Sequence, residues 1–215
     1  MLAAVTGMTI RSGERELAGD LYEADGASAG VLFIHGYESA RRSYGPRAEA
    51  VRERLGLTCL TFDLSGHGDS PGDREAMSRE VHRQDVLAAY DALAERVDRV
   101  GVCGASYGAY LACVLLGERP VQRLLLRAPA VHVGEPLRHL VDTDLALHNL
   151  AEFSGRTLVL ESEHDELIPH SAITACLAAA RHGTHHILSG ARHAMSEPAW
   201  KAAFVAEIVA WFTDL

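Results

Sequence analysis

The chain has 215 residues, of which 48% are hydrophobic and 23% charged, and it carries a net charge of −9 at pH 7. That size and composition suit one globular domain over residues 1–215 with a full core, and the acidic balance excludes the basic footprint of a nucleic-acid binder. No apolar run approaches the roughly 18 residues of a membrane span, and the N-terminus lacks the basic n-region of a secretory signal, so the expectation is a cytoplasmic protein without membrane or nucleic acid as partner.

In chain order, residues 5–11 and 16–22 read as a hairpin around Ser12-Gly13. Val31-Leu32-Phe33-Ile34 is a continuous apolar run ending at His35-Gly36, the pattern of a strand buried on both faces of a parallel sheet. Residues 48–55 carry a helical pattern, and 57–62 a strand ending at Asp63. A glycine-rich loop over 65–72 precedes a long helix over 78–96, whose apolar stripe is Val81, Val86, Leu87, Tyr90 and Leu93. Strand 99–103, helix 107–116 and strand 121–126 follow. Residues 131–155 break the rhythm with Gly134, Pro136, three histidines and several acids, and read as a small cap insertion. Strand 157–160, helix 172–180, strand 186–188 and helix 199–212 complete the chain.

Strand–helix alternation after a hairpin predicts an α/β fold with a mostly parallel sheet of about eight strands flanked by helices. Ligands bind such sheets at the carboxyl ends of the strands. Here those ends carry His35-Gly36, Asp63, Ser106, Asp165 and the loop with His193. The four cysteines, Cys59, Cys103, Cys113 and Cys176, lie in apolar runs without a C-x-x-C and read as buried small hydrophobes. Twelve histidines include no H-E-x-x-H, and His185-His186 sits in a strand, where neighbours face opposite ways. Most histidines are expected on the surface or in loops, and no metal site is expected.

The chemistry centres on Gly104-Ala105-Ser106-Tyr107-Gly108. A G-x-S-x-G between a strand and a helix reads as a nucleophile elbow. A serine hydroxyl is a poor nucleophile until a base takes its proton, and the base needs an orienting carboxylate. Asp165 follows the strand at 157–160 and His193 follows the strand at 186–188, which gives the order Ser…Asp…His expected beside such an elbow. Glu161 and Glu163 are alternative acids, and Asp165 could instead cap the next helix. His182, His185 and His186 are alternative bases, but they lie before or inside the last strand.

With those residues in place, the chain resembles small members of the α/β-hydrolase superfamily, in the branch of serine esterases, monoacylglycerol-lipase-like and serine-aminopeptidase-like proteins. The resemblance is carried by Leu32-Phe33-Ile34-His35-Gly36, the run from Phe62 to Ser70, Gly104 to Gly108, His164 to Pro169, and Arg192-His193, in the family's order over nearly the whole chain. It implies Ser106 as nucleophile, His193 as general base and Asp165 as the acid that holds the imidazole. The backbone N–H groups of Tyr37 and Tyr107 would form the oxyanion hole. His35 and Gly36 are expected beside the substrate, with His35 shaping the loop, and His67 and Asp69 are expected to be structural.

The implied activity is hydrolysis of a small-molecule carboxylic ester or thioester through an acyl-Ser106 intermediate, without cofactor or metal. Other chemistries on the same fold remain alternatives: C–C hydrolysis, cofactor-free haloperoxidase-like reaction, acyl transfer, peptide cleavage, or ligand binding without catalysis. The 131–155 segment mixes Leu137, Leu140, Leu145, Leu147 and Leu150 with Arg138, Asp142, Asp144 and Glu152. Such an amphipathic cover favours soluble short- or medium-chain substrates over bulk lipid.

Overall fold

The computed structural model describes residues 5–134 and 137–215. Residues 1–4, and residues 135 and 136 of the expected cap, lie outside the described residues. Eight strands form one sheet: β1 (Thr6–Ser12), β2 (Arg15–Tyr22), β3 (Ala29–Ile34), β4 (Thr58–Phe62), β5 (Arg99–Ala105), β6 (Arg123–Arg127), β7 (Arg156–Ser162) and β8 (Gly183–Leu188). Their spatial order is β1-β2-β4-β3-β5-β6-β7-β8. The hairpin β1–β2 and the pair β2–β4 are antiparallel, and all other pairs are parallel.

The apolar runs explain the centre of this sheet. Leu32 and Ile34 face one side and Val31 and Phe33 the other, so alternate residues of β3 enter two separate cores. One core lies under α2 (Arg79–Ala94), α3 (Tyr107–Leu115), α4 (Thr143–Glu152) and α5 (His170–Ala179). The other lies under α1 (Gly45–Leu55) and α6 (Pro198–Phe212). The four cysteines are free and buried among these side chains.

Two expectations are corrected. The buried face of α2 is His82, Asp85, Val86, Ala89, Tyr90 and Leu93. Val81 and Leu87, both expected on the apolar stripe, are only half-buried, because tertiary hydrogen bonds draw His82 and Asp85 inward and rotate the buried face toward them. Second, α4 was absent from the sequence reading of 131–155. The parallel pair β6–β7 requires a crossover, and α4 supplies it, burying Ala146 and Leu150. Its signal was present: Asp142 is the N-cap, accepting the N–H of Leu145 at 3.1 Å. The stretch before α4 contains a 3-10 turn, Leu137–Leu140.

The order of the strands creates the site. From β3 the chain leaves toward α1 on one face, while from β5 it leaves toward α3 on the other. The loops after β3 and β5 therefore part and leave a crevice at the carboxyl edge. The loop at 35–37 and Ser106 meet there.

Candidate active site

Ser106 joins β5 to α3 with φ 54 and ψ −120, a conformation that costs a non-glycine residue about 1–3 kcal/mol. The flanking glycines make the turn possible. A Cβ on Gly108 would lie 2.2 Å from the Ile34 carbonyl oxygen, and one on Gly104 would lie 2.4 Å from that of Gly108. The turn is held by Ser106 N–H donating to the Arg127 carbonyl at 2.9 Å and by Ala130 N–H donating to the Ser106 carbonyl at 3.1 Å. Tyr107 is the first residue of α3, so its N–H has no acceptor within the helix. Among the described residues Ser106 Oγ makes no side-chain hydrogen bond; catalytic hydrogen bonds commonly close only when substrate binds.

The loop after β3 lies directly against this serine. A Cβ on Gly36 would sit 3.4 Å from Ser106 Cβ and 3.9 Å from its Oγ. The Gly36 carbonyl accepts from Ser39 N–H at 3.1 Å and from His35 Nδ1–H at 2.7 Å, and His35 Nε2 in turn accepts from Leu64 N–H at 3.1 Å. His35 is fully buried, and burial pushes its pKa down to about 4. With both ring nitrogens bonded to backbone and its side chain fully buried, His35 lies inside the loop rather than on the crevice surface. Gly36 keeps its place at the crevice.

Beneath the loop lies a polar network that the sequence reading missed. His67 Nε2–H donates to the Tyr37 carbonyl at 2.6 Å, and its Nδ1 faces the Ser65 carbonyl at 3.0 Å. His82 Nε2–H donates to the same Ser65 carbonyl at 3.1 Å, and its Nδ1 lies 3.0 Å from the Tyr107 hydroxyl. Burial holds that phenol protonated, so it is the donor. Asp85 is fully buried; it accepts from Ser65 N–H at 2.8 Å and Ser12 Oγ at 2.7 Å and pairs with Arg15 at 3.2 Å. Asp63 anchors the other side of the loop, accepting from the Arg41 backbone at 2.6 Å and Asp69 N–H at 2.9 Å. Three of the twelve histidines are thus interior. No periodicity marks them, because each has at least one partner distant in sequence: Leu64 N–H for His35, the Tyr37 carbonyl for His67, and the Ser65 carbonyl and Tyr107 hydroxyl for His82.

The loops after β7 and β8 bring Asp165 and His193 together. His193 Nδ1 lies 3.0 and 2.9 Å from the two Asp165 oxygens. The Asp165 side chain is only 6% exposed. Burial raises its pKa, but donation from His193 and from the N–H groups of Ile168 and Leu167 outweighs that and leaves it below its usual value. Asp165 is not the cap of α5, whose N-cap is Pro169. The alternative acids are occupied elsewhere: Glu161 joins His170 and His185, and Glu163 accepts from Ser189 and Gly190. His185 meets Glu161 on one face of β8 and His186 meets Glu207 on the other.

A cavity of about 340 Å³, lined by His132, Val133, Arg138, Val141 and Thr143, opens just beyond Ala130. No group of three or more metal-binding side chains occurs among the described residues, and no helix there is long and apolar enough to cross a membrane.

Residues 25–146 match the model of the family described as serine aminopeptidase, S33. The uncharacterized protein Rv2307c of Mycobacterium tuberculosis is 28% identical over 181 residues, covering 78% of this chain and 63% of that protein. The chain therefore spans less than two thirds of the length of that relative. Human palmitoyl-protein thioesterase ABHD10 is 38% identical over 89 residues, covering 40% of this chain and 28% of that protein. Among solved structures, a dienelactone hydrolase from Anabaena variabilis superimposes with a TM-score of 0.78 at 26% identity, covering 99% of this chain and 98% of its own.

Proposed function

Because the chain belongs to the serine aminopeptidase S33 family of the α/β-hydrolase superfamily, we propose that it is a serine hydrolase that cleaves a carboxylic ester or thioester through an acyl-Ser106 intermediate. The observation that carries this reading is the bond between His193 Nδ1 and Asp165 at 2.9 Å, on the sheet edge that also carries the Ser106 turn. A buried carboxylate on Nδ1 keeps the proton there and leaves Nε2 free to act as base.

In this mechanism His193 Nε2 takes the Ser106 hydroxyl proton as Oγ attacks the acyl carbon. The carbonyl oxygen becomes an oxyanion that accepts from the N–H groups of Tyr37 and Tyr107. Each such donor contributes about 3 kcal/mol to the transition state. Asp165 stabilises the imidazolium. As the tetrahedral intermediate collapses, the bond to the alcohol or thiol breaks and the leaving group takes the proton from Nε2. Water then gives a proton to His193 as it attacks the acyl carbon; the acyl–Oγ bond breaks, Oγ takes the proton back from Nε2, and the acid departs. The chain supplies every group in this cycle, so no cofactor or metal is invoked.

The mixture of leucines with Arg138, Asp142, Asp144 and Glu152 over 131–155 supports soluble short- or medium-chain acyl groups as substrates. The likeness to ABHD10, named as a palmitoyl-protein thioesterase, keeps thioesters within the proposal. The test is labelling with a fluorophosphonate together with hydrolysis of p-nitrophenyl esters of graded chain length. Wild type is expected to label and turn over, and Ser106→Ala to do neither. Equal labelling of folded Ser106→Ala refutes the reading.

A further inference from the structure

We propose that Arg127 is a positioning residue that ties the nucleophile turn to the base loop, an inference that rests on the serine-hydrolase reading. Arg127 ends β6, between β5 and β7, and is 5% exposed. Its carbonyl accepts the Ser106 N–H at 2.9 Å. Its guanidinium Nη2 donates to the His193 carbonyl at 2.7 Å, the Arg192 carbonyl at 3.0 Å and Ser162 Oγ at 2.8 Å. One residue thus bonds the backbone of both proposed reacting groups.

What makes the arrangement unusual is that no carboxylate touches the guanidinium: Asp165 and Glu166 act on it only at longer range. Among the described residues Arg127 forms no salt bridge. All its hydrogen-bond acceptors are neutral, and its Nε has no partner. Phe204 lies against the guanidinium at 6.0 Å. Burying a cation without a directly paired carboxylate is costly, and packing alone would be served better by an apolar side chain. The donors point where a need exists. His193 sits between exposed Arg192 and Ala194; Ala191 and Met195 anchor the loop in the core, and His193 N–H donates to Glu166 at 3.3 Å, but the carbonyls of 192 and 193 are held by Arg127. The loop's carbonyls turn inward and require donors there. A displacement of about 1 Å between reacting groups costs on the order of 100-fold in rate, so a donor that fixes the His193 backbone acts on turnover through His193.

Sequence spacing does not reveal this role, since Arg127 and His193 come together only through the parallel strands β6, β7 and β8. The Ser162 hydroxyl at the end of β7 completes the tie. Because one nitrogen serves all three acceptors, a lysine ammonium, with three donors of its own, retains part of the function. Methionine keeps the length and removes every donor.

The experiment compares wild type, Arg127→Met and Arg127→Lys by ester hydrolysis and by amide hydrogen exchange. Arg127→Met is expected to lose about 30- to 100-fold in kcat with KM changed less than about threefold. Exchange at 190–194 should accelerate while the central strands keep their protection. Arg127→Lys is expected to recover most of both. A folded Arg127→Met with wild-type kcat, or with unchanged exchange at 190–194, overturns the proposal. If Arg127→Met does not fold, the residual defect of Arg127→Lys decides: exchange faster at 190–194 alone, with kcat lowered about threefold, supports the tie, and exchange equal to wild type or faster throughout overturns it. The exchange readout also separates this proposal from the proposed function. A wild type inert to fluorophosphonate and esters refutes the hydrolase reading, while the exchange at 190–194 still reports whether Arg127 holds the loop.

Discussion

His67 Nε2 lies 2.6 Å from the carbonyl oxygen of Tyr37, so the residue whose N–H is proposed for the oxyanion hole has its carbonyl, in the following peptide, tied to the glycine-rich loop. The ring packs edge-on against Tyr37 and His82. His67→Phe keeps an aromatic ring there and removes the donor. The unpaired carbonyl costs about 1–3 kcal/mol of stability, read as a lower urea midpoint. Loosening Tyr37 should lower kcat about tenfold with little change in KM, because the interaction lost is one made with the transition state. Unchanged kcat in a folded variant argues against this support.

Asp165 accepts from two backbone N–H groups as well as from His193. Asparagine retains an acceptor oxygen for Leu167 and Ile168, so Asp165→Asn should fold. Its side-chain amide, however, competes to donate to Nδ1 and favours the wrong tautomer. The expected loss in kcat is about a thousandfold or more, measured with a p-nitrophenyl ester. Wild-type turnover would show that another acid orients His193.

His35 gives the fold a pH dependence of definite sign. Burial holds its pKa near 4 in the folded chain against 6.5 for a free imidazole. Between those values the unfolded chain binds more protons, so stability rises with pH. The contribution is complete above pH 6.5 and disappears as pH falls toward 4; its full size is on the order of 3 kcal/mol. His35→Asn keeps a donor and an acceptor without titrating. Urea unfolding at about pH 7.5 and about pH 4.5, on either side of the ordinary histidine value, should show a smaller loss for the variant than for wild type. Equal losses would assign the pH dependence to other groups.

Much of this architecture was legible in one dimension because its causes are local. Continuous apolar runs such as Val31–Ile34 specify strands buried on both faces, and Ser78 before Arg79 announces the start of α2. The elbow was readable because the close approach of three backbones excludes a Cβ at Gly104 and Gly108. The order Ser106, Asp165, His193 was readable because each residue follows a strand and the ends of parallel strands share one edge.

Local patterns could not disclose which loops touch across that edge. Arg127 reads as the end of a strand, His82 as one residue of a helix and His67 as part of a glycine-rich loop, yet each is placed by a carbonyl or hydroxyl far along the chain. Hydrogen bonds to backbone leave no signature in side-chain periodicity, and the burial that makes them matter exists only once the sheet has closed over them. The amino-acid order by itself determined the strands, the serine turn and which groups are proposed to react; the tertiary structure decided what holds those groups, because a buried polar atom finds its partner in space and not along the chain.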